Sequence, residues 1–113
     1  MTSGRDCVIV ELMATYPVLW HEEGSPDVWR GRAELDGYGL ALHGRTAEAE
    51  DRLFIPDRDL AEVARGRDAA IGPCEAIRVR TRQGLSLLLA VPFGVGLLTE
   101  LFEHLAVRAA AAA

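Results

Sequence analysis

The chain has 113 residues, half of them hydrophobic and 26% charged, and a formal net charge of −5. This composition excludes a disordered polymer and suits one domain that buries about two-thirds of the surface its unfolded chain would expose. The acidic balance opposes general attraction to nucleic acid or anionic membrane, so any anion site has to be a local patch.

Residues 1–6 read as a flexible N-terminus ahead of a single domain over residues 7–108. Glu11 follows only a short apolar stretch, so no signal peptide is expected. Residues 7–14, CVIVELMA, are β-branched and apolar in the manner of a buried strand. Residues 16–20 extend it if Pro17 sits at an edge or a bulge. After the polar turn HEEGSPD comes VWRGRAEL, in which Trp29, Gly31, Ala33 and Leu35 alternate with Arg30, Arg32 and Glu34. The apolar side of this second strand is expected to face the core.

Asp36-Gly37 is a hairpin dipeptide that tolerates positive φ, and YGLALHG returns from it as a third strand. TAEAED connects to RLFIP, a short strand stopped by Pro56. Residues 57–68 are ambiguous. Leu60, Val63 and Ala64 fit a helical face, whereas the alternation needed for a strand is loose.

EAIRVRT alternates again, with Arg78, Arg80 and Arg82 on one side, and turns at Gln83-Gly84. Residues 85–99 form the most apolar run. They are too short to span a membrane and are interrupted by Pro92, Gly94 and Gly96, which predicts a buried strand leading into a helix. Residues 95–108 then place Leu97, Leu98, Leu101, Phe102, Leu105 and Ala106 on one stripe, with Thr99, Glu100, Glu103 and Arg108 largely off it. The alanine tail, residues 109–113, has little to pack against and is expected to be disordered.

Five or six short strands with hairpin turns and one C-terminal helix resemble the pleckstrin-homology superfold, and in particular bacterial GRAM-like domains. WRGRAELDGYGLALHG is similar to the second and third strands of those domains, and LFIPDRDLAEVARGRD to the fourth and fifth. The resemblance covers roughly residues 7–108. It implies a mainly β domain with one C-terminal α-helix, in which about seven antiparallel strands form a barrel capped by the helix. It also implies that residues 60–66 are strand, leaving no open sheet edge. The function it implies is that of a non-enzymatic binding or scaffold module.

In phosphoinositide-binding members of this family, a Lys followed by Arg-x-Arg holds the phosphates. Arg30 and Arg32 match the second half, but Trp20 or His21 stands where the lysine is wanted. Glu22, Glu23 and Asp27 crowd the same loop, so a plain solvated strand face is the expected reading rather than a phosphoinositide membrane site. A second candidate is an anion or acidic-peptide site made by Arg78, Arg80 and Arg82, with Arg65 and Arg67 alongside. Its alternative is an outward face balanced by Asp57, Asp59, Glu62 and Asp68.

His21, His43 and His104 lie on separate elements without zinc spacing and read as surface or half-buried residues. Cys7 and Cys74 read as small buried hydrophobes of a reduced, cytoplasmic protein. No metal, cofactor or catalytic set is expected, and the expected partner is another protein or a second copy of the chain. Two other readings stay open. One is a small-ligand barrel with its mouth beside Trp20, Trp29 and Phe93. The other is an enzyme pairing His43 with Glu22 or Glu23.

Overall fold

A computed structural model describes residues 14–68, 72–92 and 94–112. Residues 7–13 of the strand expected over 7–14, with Cys7, the residue Phe93 and the side chain of Cys74 lie outside the described residues. Among the described residues there are seven strands: β1 (Ala14–Glu22), β2 (Val28–Leu35), β3 (Gly39–Arg45), β4 (Glu50–Pro56), β5 (Leu60–Asp68), β6 (Gly72–Thr81) and β7 (Ser86–Ala90). One helix, α1 (Val95–Ala112), follows them. All pairings are antiparallel, in the order β4-β3-β2-β1-β7-β6-β5. The fold is therefore mainly β, a curled half-barrel with one C-terminal helix.

Pro17 sits inside β1 without breaking a ladder. β1 pairs with β2 along its length, Pro17 facing Arg32, but β7 reaches only as far as Leu19. Pro17 therefore lies beyond the β7 ladder, where the N–H it lacks has no strand to bond. The hairpin at Asp36 works differently from expectation. Gly37 has no positive φ; instead the Asp36 carboxylate accepts from the Tyr38 N–H at 2.7 Å and the Gly39 N–H at 3.0 Å. This side-chain turn leaves the backbone in ordinary regions.

Residues 60–68 are strand, and the helical reading of their periodicity fails. Bulges between Leu60 and Glu62 and between Arg67 and Asp68 disrupt the alternation that a sequence reader looks for. β5 does not remove the open edge, as the family resemblance implied. A short 3-10 helix, Asp57–Asp59, turns the chain away from β4, so β4 and β5 become the two edges of the sheet.

The concave face carries Tyr16, Val18, Trp20, Ala33, Leu35, Leu40, Leu42, Ile55, Ile77, Val79, Leu87 and Leu89, all buried in one cluster. Leu98, Leu101 and Leu105 of α1 complete it, with Phe102 and Ala109 packed against it. The buried stripe is thus 98, 101, 105 and 109; Leu97 is 38% exposed and lies off it. Arg108, expected off the stripe, is largely buried and donates to Asp57 at 3.1 Å. The helix continues through Ala112, so Ala109 to Ala112 are ordered helix rather than a loose tail. The Arg82 guanidinium donates to the Ala112 carbonyl at 3.1 Å, satisfying one of the acceptors that a helix end leaves open.

Candidate functional site

The interior of the half-barrel is packed with its own side chains. Trp20, expected near a barrel mouth, is 2% exposed and stacks on Trp29 with ring centroids 5.6 Å apart. Its indole N–H donates to the His43 carbonyl at 3.2 Å. This packing depends on Gly31 and Gly44, which face each other across β2 and β3. A Cβ on Gly44 would lie 2.6 Å from the Trp29 Cβ and 2.7 Å from the Trp20 indole nitrogen. The stacked indoles leave no space between Trp20 and Trp29 for a small ligand; Phe93, the third residue of that expected mouth, lies outside the described residues.

The two arginine candidates are rearranged. Arg78 and Arg80 share the outer face of β6, but Arg65 stands opposite Ile77, a core-facing residue. After the bulge, Arg65 and Arg67 therefore belong to the concave side. Arg65 bonds Glu75 at 2.9 Å and lies 5.6 Å from the Phe102 ring centroid of α1. Arg78 is held by Glu23 at 3.1 Å and Arg80 by Glu62 at 3.2 Å. Arg82 spends its donors on the carbonyls of Arg58 and Ala112. The five-arginine cluster does not form, because its two halves face opposite ways and its outer members are neutralised.

Glu23 is the hub of that outer face. It accepts from the Ser86 hydroxyl and from Arg78. The Ser86 hydrogen bond, with the help of the Arg78 charge, holds its carboxyl below the ordinary value of 4.5. A carboxylate so engaged is not a base for His43. The His43 Nε2 instead lies 3.3 Å from Glu34, so the pairing of His43 with Glu22 or Glu23 is not made. His21 is buried rather than superficial, its Nδ1 3.1 Å from the Asp27 carbonyl. Tyr16 is also buried, and burial first, then the hydrogen bond to Glu100, raises its phenol far above the usual range.

Arg30 and Arg32 find a different setting. The β2–β3–β4 registers place Arg30 beside Arg45, Arg32 beside His43, and His43 beside Arg52. The core-facing positions of these strands are Ala33, Leu35, Leu40, Leu42 and Ile55, so the alternate residues Arg30, Arg32, His43, Arg45 and Arg52 share the outer face. They surround a shallow concavity of about 180 Å³ whose other walls include Gly31, Gly44, Glu50 and Asp51. Glu34 bonds Arg32 at 3.0 Å, and Glu50 lies 3.7 Å from Arg45. Among the described residues Arg30 and Arg52 have no carboxylate within ion-pair distance.

An adjoining groove lined by Pro17, Leu19, Gly31 and Pro92 also touches Arg30. The face therefore offers clustered guanidinium donors next to apolar surface. From the sequence Arg30 and Arg32 are candidates and His43 is set against Glu22 or Glu23, whereas Arg45 and Arg52 are not singled out. Counting back from the hairpins that flank β3 would have set all five side by side.

No family model and no curated protein matches the chain. A solved structure, the crystal structure of the C-terminal domain of an unknown protein from Leishmania infantum, is similar to it. The match has a TM-score of 0.63 and 13% identity, covering 97% of this chain and 99% of that one. At that identity the likeness concerns the fold alone.

Proposed function

We propose that the chain is a non-catalytic, pleckstrin-homology-like binding module that holds an anionic protein partner on the outer face of β2, β3 and β4. The strand order and the single C-terminal helix support the pleckstrin-homology-like reading. The observation that carries the binding function is the convergence of Arg30, Arg32, Arg45 and Arg52 on one concavity in a chain of net charge −5. Glu34 and Glu50 already meet Arg32 and Arg45, which leaves Arg30 and Arg52 as the cations of this concavity without a carboxylate at ion-pair distance among the described residues, and a guanidinium fork suits carboxylate or phosphate. A filled interior supports a surface partner over an internal ligand. The few cysteines support a reduced, cytoplasmic setting.

Inorganic triphosphate, a compact probe with no peptide backbone, tests the charge cluster. Calorimetric titration at low salt is expected to give binding that Arg30→Ala with Arg52→Ala weakens by about tenfold or more. The same pair of changes on the other arginine-bearing sheet half, Arg78→Ala with Arg80→Ala, is expected to leave it intact. Binding indifferent to Arg30 and Arg52 overturns the proposal.

A further inference from the structure

The two edges of the sheet are built differently. β5 carries two bulges, and α1 packs along it. Bulges and covering elements are devices that keep an edge from pairing with another chain. Among the described residues β4 has neither: its register against β3 runs without a shift from Glu50 to Pro56.

The free edge of β4 can be read residue by residue. The Thr46 N–H donates to the Ala49 carbonyl, and the Asp57 N–H donates to the Tyr38 carbonyl, at the two ends of the same ladder. Hydrogen-bonded pairs alternate in an antiparallel ladder, so residues 49, 51, 53, 55 and 57 turn their backbone groups toward β3. Glu50, Arg52 and Phe54 therefore turn their N–H and C=O groups outward, away from the sheet. Pro56, next in that series, lacks an N–H and ends the edge. All three residues are exposed, Phe54 by 49%, and their side chains lie on the outer face.

We infer that β4 accepts an extended acidic segment of a partner protein as an eighth strand, its acidic side chains on the outer face beside Arg52. This rests on the proposed role of the arginine face and names what that face receives. An added strand lies about 4.8 Å from β4, which sets its outer side chains beside Arg52 and within an arginine's reach of Arg45 and His43 one strand further. Glu50 lies 3.7 Å from Arg45, and Arg52 has no carboxylate within ion-pair distance among the described residues, so Arg52 is the open cation along the edge. Phe54 offers apolar contact to the neighbouring side chain of the segment. The inner side of the segment would meet half-buried Leu53, which suits an apolar residue.

A second copy of the chain competes for the same edge, because antiparallel pairing of β4 with itself in the register that sets Glu50 opposite Arg52 joins opposite charges; such a copy also brings its own Arg30, Arg32 and Arg45 to the outer face, which an acidic segment does not.

The test uses a capped, fluorescently labelled octapeptide of alternating Glu and Val, which presents acid on one face and apolar side chains on the other. Anisotropy at low salt is expected to register binding that Arg52→Ala and Phe54→Pro each weaken by about tenfold. Phe54→Pro removes an edge donor but no bond to β3, and it is expected to leave triphosphate binding unchanged. Two further peptides, N-methylated at every Glu or at every Val, keep the protein unaltered. Only one of these two series of amides can face β4, so one peptide is expected to lose binding and the other to keep it. Equal behaviour of the two peptides overturns the added strand, as does peptide binding indifferent to Phe54→Pro. In either case the triphosphate result still judges the arginine face by itself. A dimer in light scattering that Phe54→Pro dissolves would assign the edge to a second copy and overturn the acidic segment.

Discussion

The Tyr16 hydroxyl donates a 2.6 Å hydrogen bond to the Glu100 carboxylate, tying the first described strand to the C-terminal helix across 84 residues of sequence. Tyr16 itself is 1% exposed, so its ring belongs to the core while its hydroxyl reaches the helix surface. Tyr16→Phe keeps the ring and removes the bond, which is expected to destabilise the fold by about 1–3 kcal/mol, because the acceptor is charged. Denaturant unfolding measures it.

The same pair makes a pH signature. The folded-state phenol titrates above its ordinary value of 10.0, so the folded protein holds a proton that the unfolded chain releases first. This contribution is fully present below pH 10 and is lost as the pH rises further. Unfolding followed from neutral to strongly alkaline pH should show a decline that is shallower in Tyr16→Phe.

Glu23 provides the opposite sign. Its carboxyl is held below 4.5 by Ser86 and then by Arg78, so its contribution exists above that pH and disappears as the solution is acidified. Carboxyl NMR titration should find the Glu23 midpoint moving up in Ser86→Ala, and less so in Arg78→Ala.

Gly44 has no room for a methyl group. With Trp29 and Trp20 atoms at 2.6 and 2.7 Å from the position of a Cβ, Gly44→Ala has to unstack the two indoles or spread β2 from β3. Overpacking of this kind is expected to cost about 1–3 kcal/mol. Tryptophan fluorescence should report the altered stacking, while Gly24→Ala, where a Cβ meets nothing, tests instead only its positive φ of 93°.

Much of the scaffold was legible because local pattern and tertiary environment agree. Trp29, Ala33 and Leu35 alternate with charged residues, and β2 forms over Val28–Leu35 as that alternation requires. Leu98, Leu101 and Leu105 mark the helix for the same reason. β5 resisted reading because its bulges break the alternation, and Arg65 changed faces as a result. The alanine tail looked partnerless because its partner, Arg82, sits 30 residues away in sequence. The arginine face was half visible. Arg30 and Arg32 share a strand, but Arg45 and Arg52 join them only through cross-strand register, which no single segment encodes.

The most direct measurement is amide chemical-shift mapping of the labelled protein during titration with the alternating Glu-Val peptide. The largest shifts are expected at Arg30, Arg32, Arg45, Arg52 and Phe54, with the amides of Glu50, Arg52 and Phe54 gaining protection from hydrogen exchange. Shifts concentrated at Arg65, Arg78 and Arg80 on β5 and β6 would contradict the proposed site.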